Sequence, residues 1–138
     1  MDEKAKIEAY FASHREEMVQ DAMKLIRIAS TRGEREPGMP YGPGPRQALD
    51  AAMELARAAG FSTRLYDDCV GAVDLQPGPR GLDILAHLDV VPVEDNWTMC
   101  QPFAPKVVDG RLYGRGAQDD KGPAIAALYA MRAVKELG

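Results

Sequence analysis

Cysteine, histidine and aromatic residues are scarce in this 138-residue sequence, which holds two Cys, two His and one Trp among 7% aromatics. Cys69 and Cys100 form no Cys-x-x-Cys and no other finger spacing, which excludes a cysteine-built metal module. Cys100 reads as a small, semi-buried loop residue. Positive charge is not in excess either. With 17 Lys and Arg against 21 Asp and Glu, and a net charge of -4, there is no basic stripe to neutralise phosphates, so no nucleic-acid partner is expected. No apolar run approaches the ~20 residues that cross a bilayer, and the opening MDEKAKIEAY lacks the apolar centre of a signal peptide. A membrane partner is therefore not expected, and the default compartment is cytoplasmic. Two catalytic signatures are also missing. There is no Gly-x-Ser-x-Gly elbow for a nucleophilic serine. Gly114-x-Gly116 begins like a dinucleotide fingerprint, but Asp119 stands in place of the third glycine, where its charge would repel a pyrophosphate. Internal repeats and low-complexity linkers are absent.

What remains is an ordinary globular composition, 46% hydrophobic and 28% charged, in a length that suits one domain with its own core. Residues 2–29 are expected to form one long helix, because Ile7, Phe11, His14, Met18, Leu25 and Ile26 recur near helical spacing. His14 belongs to that stripe and carries no expected chemistry. Residues 30–44, punctuated by Gly and Pro, read as a loop that crosses the sheet edge. A second helix is expected over residues 45–59, with proline at its start, Gly60 as its stop and a core face of Leu49, Met53 and Ala56. Residues 61–66 and 70–75 predict a hairpin turning at Asp67-Asp68-Cys69, which assigns that acidic pair to turn chemistry. Asp109-Gly110 predicts a type I′ turn, and a last helix is expected over residues 123–137 with Gly138 as its cap. Trp97 and Phe103 read as loop anchors against the core, the alternative being walls of a cleft. The expected fold class is α/β, a mixed β-sheet with helices on its faces.

The stretch from residue 82 to 121 organises the rest. Residues 82–88 are an apolar run that fits a buried strand, and the polar His87 and Asp89 appear as it runs out. Ligands of α/β sheets sit beyond the carboxyl ends of strands. Residues two apart share one strand face, so His87 and Asp89 are expected to project together. Asp119-Asp120 follows beyond the turn Tyr113-Gly114-Arg115-Gly116, just ahead of the last helix. Neutral imidazole and carboxylates are ligands of zinc and similar divalent ions, and one carboxylate has two oxygens with which to bridge a pair of ions. Each motif alone also has a plain structural explanation. A histidine at a strand end can be hydrogen-bonded, and an acidic pair before a helix can cap it.

Together these motifs resemble a known family. AHLDVVP, then Trp97, Pro102-Phe103-Ala104-Pro105, the run DGRLYGRGA and Asp119-Asp120-Lys121-Gly122-Pro123 are similar to the aminoacylase/carboxypeptidase/dipeptidase superfamily of two-metal hydrolases. DDKGP after GRGAQ, with PYGPGP and Ala59-Gly60-Phe61 upstream, resembles its carnosinase-like Xaa-His dipeptidases. The resemblance spans nearly the whole chain but only the amino-terminal portion of the family's zinc-peptidase catalytic domain. It implies that residues 1–138 are a partial catalytic domain, with the lid or dimerisation domain absent. It implies that His87 binds one metal and that Asp119 bridges both, a cis peptide to Asp120 aiming its carboxylate. Asp89 takes a catalytic part by holding and polarising His87 without being a ligand. The implied cofactors are two divalent ions, zinc first with cobalt or manganese as substitutes, which activate a shared water. The family's general base lies in a downstream Glu-Glu pair, whereas Glu136 is the only glutamate after Asp120 here. The expected function is zinc-dependent hydrolysis of dipeptides or small peptides by the parent enzyme, this chain being an incomplete, inactive fragment whose truncated sheet invites self-association. The alternatives are a non-catalytic domain that acts by association, or a deacylase or deacetylase of the same superfamily.

Overall fold

Asp2 starts the first helix: its carboxylate accepts the backbone N–H of Ala5 at 2.7 Å, serving one of the donors that a helix N-terminus leaves unpaired. Helix α1 (Glu3–Ile26) follows in this computed structural model, which describes residues 2–79 and 81–138. The helix ends at Ile26 rather than near residue 29, because the chain turns there to lay Ser30 against the segment that carries His87. Helix α2 (Pro43–Ala58) has proline in its first turn, where the missing N–H goes unneeded, and stops at Gly60, whose φ is 78°. The intervening loop is tied down from both sides. Gly33 N–H donates to Tyr41 O at 2.9 Å, and Arg46 reaches back to Gly38 O at 2.8 Å.

Strands β1 (Ser62–Tyr66) and β2 (Val70–Asp74) pair antiparallel and lie on α2, with Gly71 against Leu49 and Met53. Asp67 and Asp68 take positive φ in the turn, and Asp68 accepts from Arg46 at 3.2 Å, so this acidic pair does serve the turn. Strands β3 (Lys106–Val108) and β4 (Arg111–Tyr113) form a second antiparallel hairpin. Both of its turn residues, Asp109 and Gly110, have positive φ (49° and 74°), as a type I′ turn requires. Helix α3 (Lys121–Leu137) closes the chain, starting slightly ahead of Pro123.

The fold class is α/β, as expected, but the strands among the described residues pair as two separate antiparallel hairpins and not as one mixed sheet. The strand expected at residues 82–88 does not form. This segment is extended, but it finds no ladder partner among the described residues, and Leu82 and Leu85 are 81% and 95% exposed. A strand is defined by its neighbours' hydrogen bonds, so apolar composition alone cannot make one. Among the described residues the one pairing close to it is a parallel bridge between Thr31 and Val90. Between this segment, α2, the β1–β2 hairpin and α3 lies a cavity of about 1720 Å³. No helix among the described residues is long and apolar enough to cross a membrane.

The core joins the helices. Ala22 and Leu25 of α1 meet Ile125 and Tyr129 of α3, while Ala56, Phe61 and Leu128 make a second cluster. Tyr129 is fully buried and donates its hydroxyl to Asp21 at 2.8 Å, and Lys24 donates to the other Asp21 oxygen at 2.7 Å. Burial first, and then this bond to Asp21, hold the Tyr129 phenol above its ordinary pKa. Tyr129→Phe strips one partner from a buried carboxylate and is expected to lower stability by about 1–3 kcal/mol. Urea unfolding should show a lower midpoint at unchanged slope; an unmoved midpoint would mean that the bond contributes nothing.

Candidate functional site

Alternation along the extended segment decides which side chains face out. Leu88 packs on the α1–α3 core and Val90 is buried, so His87 and Asp89 project together on the opposite, open side. The second half of the site comes from the other end of the chain, where Asp119 and Asp120 immediately precede α3 and are joined by a cis peptide bond.

The two halves meet at the imidazole. His87 Nε2 lies 2.9 Å from Asp119 Oδ1, and Nδ1 lies 3.2 Å from both Oδ1 and the carbonyl oxygen of Asp89. The backbone N–H of His87 donates to Asp120 Oδ2 at 3.1 Å. Burial opposes a charge on the ring, but the hydrogen bond to Asp119 and those to Asp89 outweigh it, and the His87 pKa is raised above its ordinary value. The site is open, with 84% of the Asp119 side chain exposed.

Capping, the plain structural alternative for the acidic pair, does not occur at Asp120: it stands at the N-cap of α3 but makes no side-chain capping bond there, and its carboxylate is spent on the His87 backbone instead. That role had no signal in sequence, because an acidic residue before a helix looks like a cap wherever its side chain turns. Lys121 was also missed. It is fully buried and donates to Ile28 O at 2.7 Å, and burial pushes its pKa down to about 8. The remaining candidates lie elsewhere. His14 hydrogen-bonds Tyr10 O within α1, and the Arg115 guanidinium covers the Trp97 ring at 5.3 Å; Trp97 and Phe103 join neither core cluster and line a small pocket together.

A nitrogen facing a carboxylate oxygen is a donor pair that suits a divalent ion. Two such ligands about 2.0–2.2 Å from a tetrahedral zinc stand ~3.4 Å apart, against the 2.9 Å observed, so a small opening of the pair would seat an ion. Among the described residues no group of three or more His, Cys, Asp or Glu side chains is placed to hold a metal. His87 and Asp119 therefore present two groups of ligand type and not a full coordination shell.

Residues 84–138 match the model of peptidase family M20/M25/M40. A protein named "Putative dipeptidase YtjP" from Bacillus subtilis (strain 168) is 38% identical over 89% of this chain and 27% of its own length. A relative with the same designation from Staphylococcus epidermidis is 42% identical over 88% of this chain and 26% of its own length. The crystal structure of human carnosine dipeptidase 1 matches with a TM-score of 0.65 at 28% identity, over 96% of this chain and 31% of that one. This chain thus spans about a quarter of the length of the curated relatives it matches. By family model, relatives and fold it is similar to M20 dipeptidases, in agreement with the resemblance read from its motifs.

Gly116 brings the site together by having no side chain. Its φ is 92°, and a Cβ there would fall 2.9 Å from Lys121 Cδ and 3.3 Å from Val90 Cγ1. Gly116→Ala is expected to destabilise by about 1–3 kcal/mol from backbone strain alone, with the clash added. Gly38, at φ 72° with nothing within 4 Å of a built Cβ, supplies the control. Thermal melts should place Gly116→Ala below Gly38→Ala; equal melting temperatures would show that close approach is not what requires the glycine.

Proposed function

We propose that this chain forms the amino-terminal part of the catalytic domain of a zinc-dependent dipeptidase. The observation that supports it is the meeting of His87 Nε2 and Asp119 Oδ1 at 2.9 Å, with Asp89 on the other ring nitrogen. In this reading His87 and Asp119 are metal ligands, and Asp119 has two oxygens with which to serve two ions. Asp89 accepts the Nδ1 proton and so leaves the Nε2 lone pair for the metal, the part that a carboxylate behind a ligating histidine plays. Asp120 accepts the backbone N–H of His87, which ties the main chain that carries the ring to the residue beside Asp119. A bound divalent ion, zinc or in its place cobalt or manganese, supplies Lewis acidity toward water and a peptide carbonyl. A dipeptide substrate is carried over from the names of the relatives. Because the described residues offer two ligands where a catalytic zinc keeps three protein ligands, the chain alone is expected to hydrolyse no dipeptide.

Zinc titration of the chain beside His87→Ala and Asp119→Ala tests the site. The unaltered chain should take up zinc and both variants should lose it, whereas equal uptake by all three refutes the assignment. Asp89→Ala should keep the site but weaken affinity about 10–100-fold. The peptidase part is tested by setting this chain in place of the matching 27% of the Bacillus subtilis relative. Dipeptide hydrolysis that survives the exchange and disappears with His87→Ala supports the reading; hydrolysis indifferent to His87→Ala refutes it.

The exposed segment at residues 82–88 supports self-association through a second copy of the chain, since it has no ladder partner among the described residues and its bare Leu85 and extended backbone ahead of His87 offer a template for another strand. Apparent mass in sedimentation should rise with concentration and fall back in Leu85→Lys. A monomer at every concentration would exclude it.

A further inference from the structure

We infer that Ser30 and Lys121 are positioning residues that hold the two halves of the site in register by fastening both to one short piece of backbone, residues 28–30. The inference rests on the site assignment above but is carried by different contacts. Among the described residues the segment bearing His87 joins no sheet and meets only the Thr31–Val90 bridge at its end, so other contacts must hold it. Ser30, fully buried, donates its hydroxyl to Leu88 O at 2.6 Å, and its own carbonyl accepts the N–H of Val90 at 3.1 Å. These two bonds bracket Asp89 and fix the strip from which His87 projects.

The other half is fastened at the same place. Lys121 directly follows Asp119-Asp120, and its Nζ donates to Ile28 O at 2.7 Å. That carbonyl also accepts the N–H of Ser30 at 2.9 Å, so one acceptor serves both fastenings with its two lone pairs. The path from Leu88 through Ser30 and Ile28 to Lys121 is short, and Gly116 lets the Lys121 stem and Val90 close around it. A buried ammonium is costly to desolvate, and Lys121 forms no ion pair among the described residues. A methionine would fill the same space more cheaply. What the ammonium adds is a directed bond, and the residue it directs is next to the pair that faces His87.

The His87 amide reports the register, because it donates across the two halves to Asp120. Hydrogen exchange is measured on the full chain for the unaltered protein, Ser30→Ala and Lys121→Met, with the amides of Leu25 and Tyr129 as core references. Exchange at His87 is expected to rise at least tenfold in both variants while the two core amides keep their protection. An unprotected His87 amide in the unaltered chain, unchanged exchange in Ser30→Ala, or equal acceleration at all three amides overturns the inference. If Lys121→Met unfolds, Ser30→Ala alone decides. Zinc titration of the same proteins should show affinity roughly 10-fold weaker in Ser30→Ala. Failure of the unaltered chain to take up zinc would sink the metal assignment, while the exchange result would still decide the positioning.

Discussion

A neutral imidazole has two nitrogens and one proton, and everything at this site depends on which edge of the His87 ring keeps that proton. The structure puts a carboxylate at each edge, Asp89 at 3.2 Å and Asp119 at 2.9 Å. A second proton satisfies both edges at once, which is why the ring holds its proton above the ordinary pKa. Under the proposed metal role, a cation would compete with that second proton for the Nε2 edge, and Asp89, by occupying the other edge, would leave the choice at Nε2 to be made against Asp119 alone.

Much of this was legible in the chain because its signals are local. Asp109-Gly110 dictates a turn whose φ angles few other pairs accept, Gly60 stops a helix, and a proline at the start of a helix sets its boundary within a residue or two. The meeting of His87 and Asp119 was legible too, since the order of motifs and the ligand chemistry of imidazole and carboxylate both pointed to it. What escaped depends on partners far away in sequence. Residues 82–88 have the composition of a buried strand, yet a strand exists only where neighbours supply hydrogen bonds. Ser30 reaches Leu88 across 58 residues and carries no local mark of doing so. Lys121 reads as a surface residue by type and is fully buried. Asp120 was hidden by looking like a cap.

Stability and site geometry are not separable in this fold. Ser30 hangs from the end of α1, and Asp119-Asp120 stand at the start of α3, so the spacing of the two halves is set by how α1 packs on α3. That packing is the core itself, with Leu25 against Ile125 and Tyr129, and Leu88 resting on it from the third side. A small shift between these helices would be passed on to the His87–Asp119 contact, where a few tenths of an ångström separate a hydrogen bond from a pair open enough for an ion.

The openness of the site follows from the same arrangement. Every anchor lies beneath it: Leu88 and Val90 point inward, Ser30 and Lys121 are buried, and the backbone of His87 is taken by Asp120. The outer side of Asp119 is left bare, at 84% exposure. Under the proposed metal role, the His87–Asp119 pair would be half of a coordination shell, and a metal held by it alone would keep most of its coordination positions open to water. Because the anchors occupy the inner side, any further protein ligand would have to approach over the bare face of Asp119.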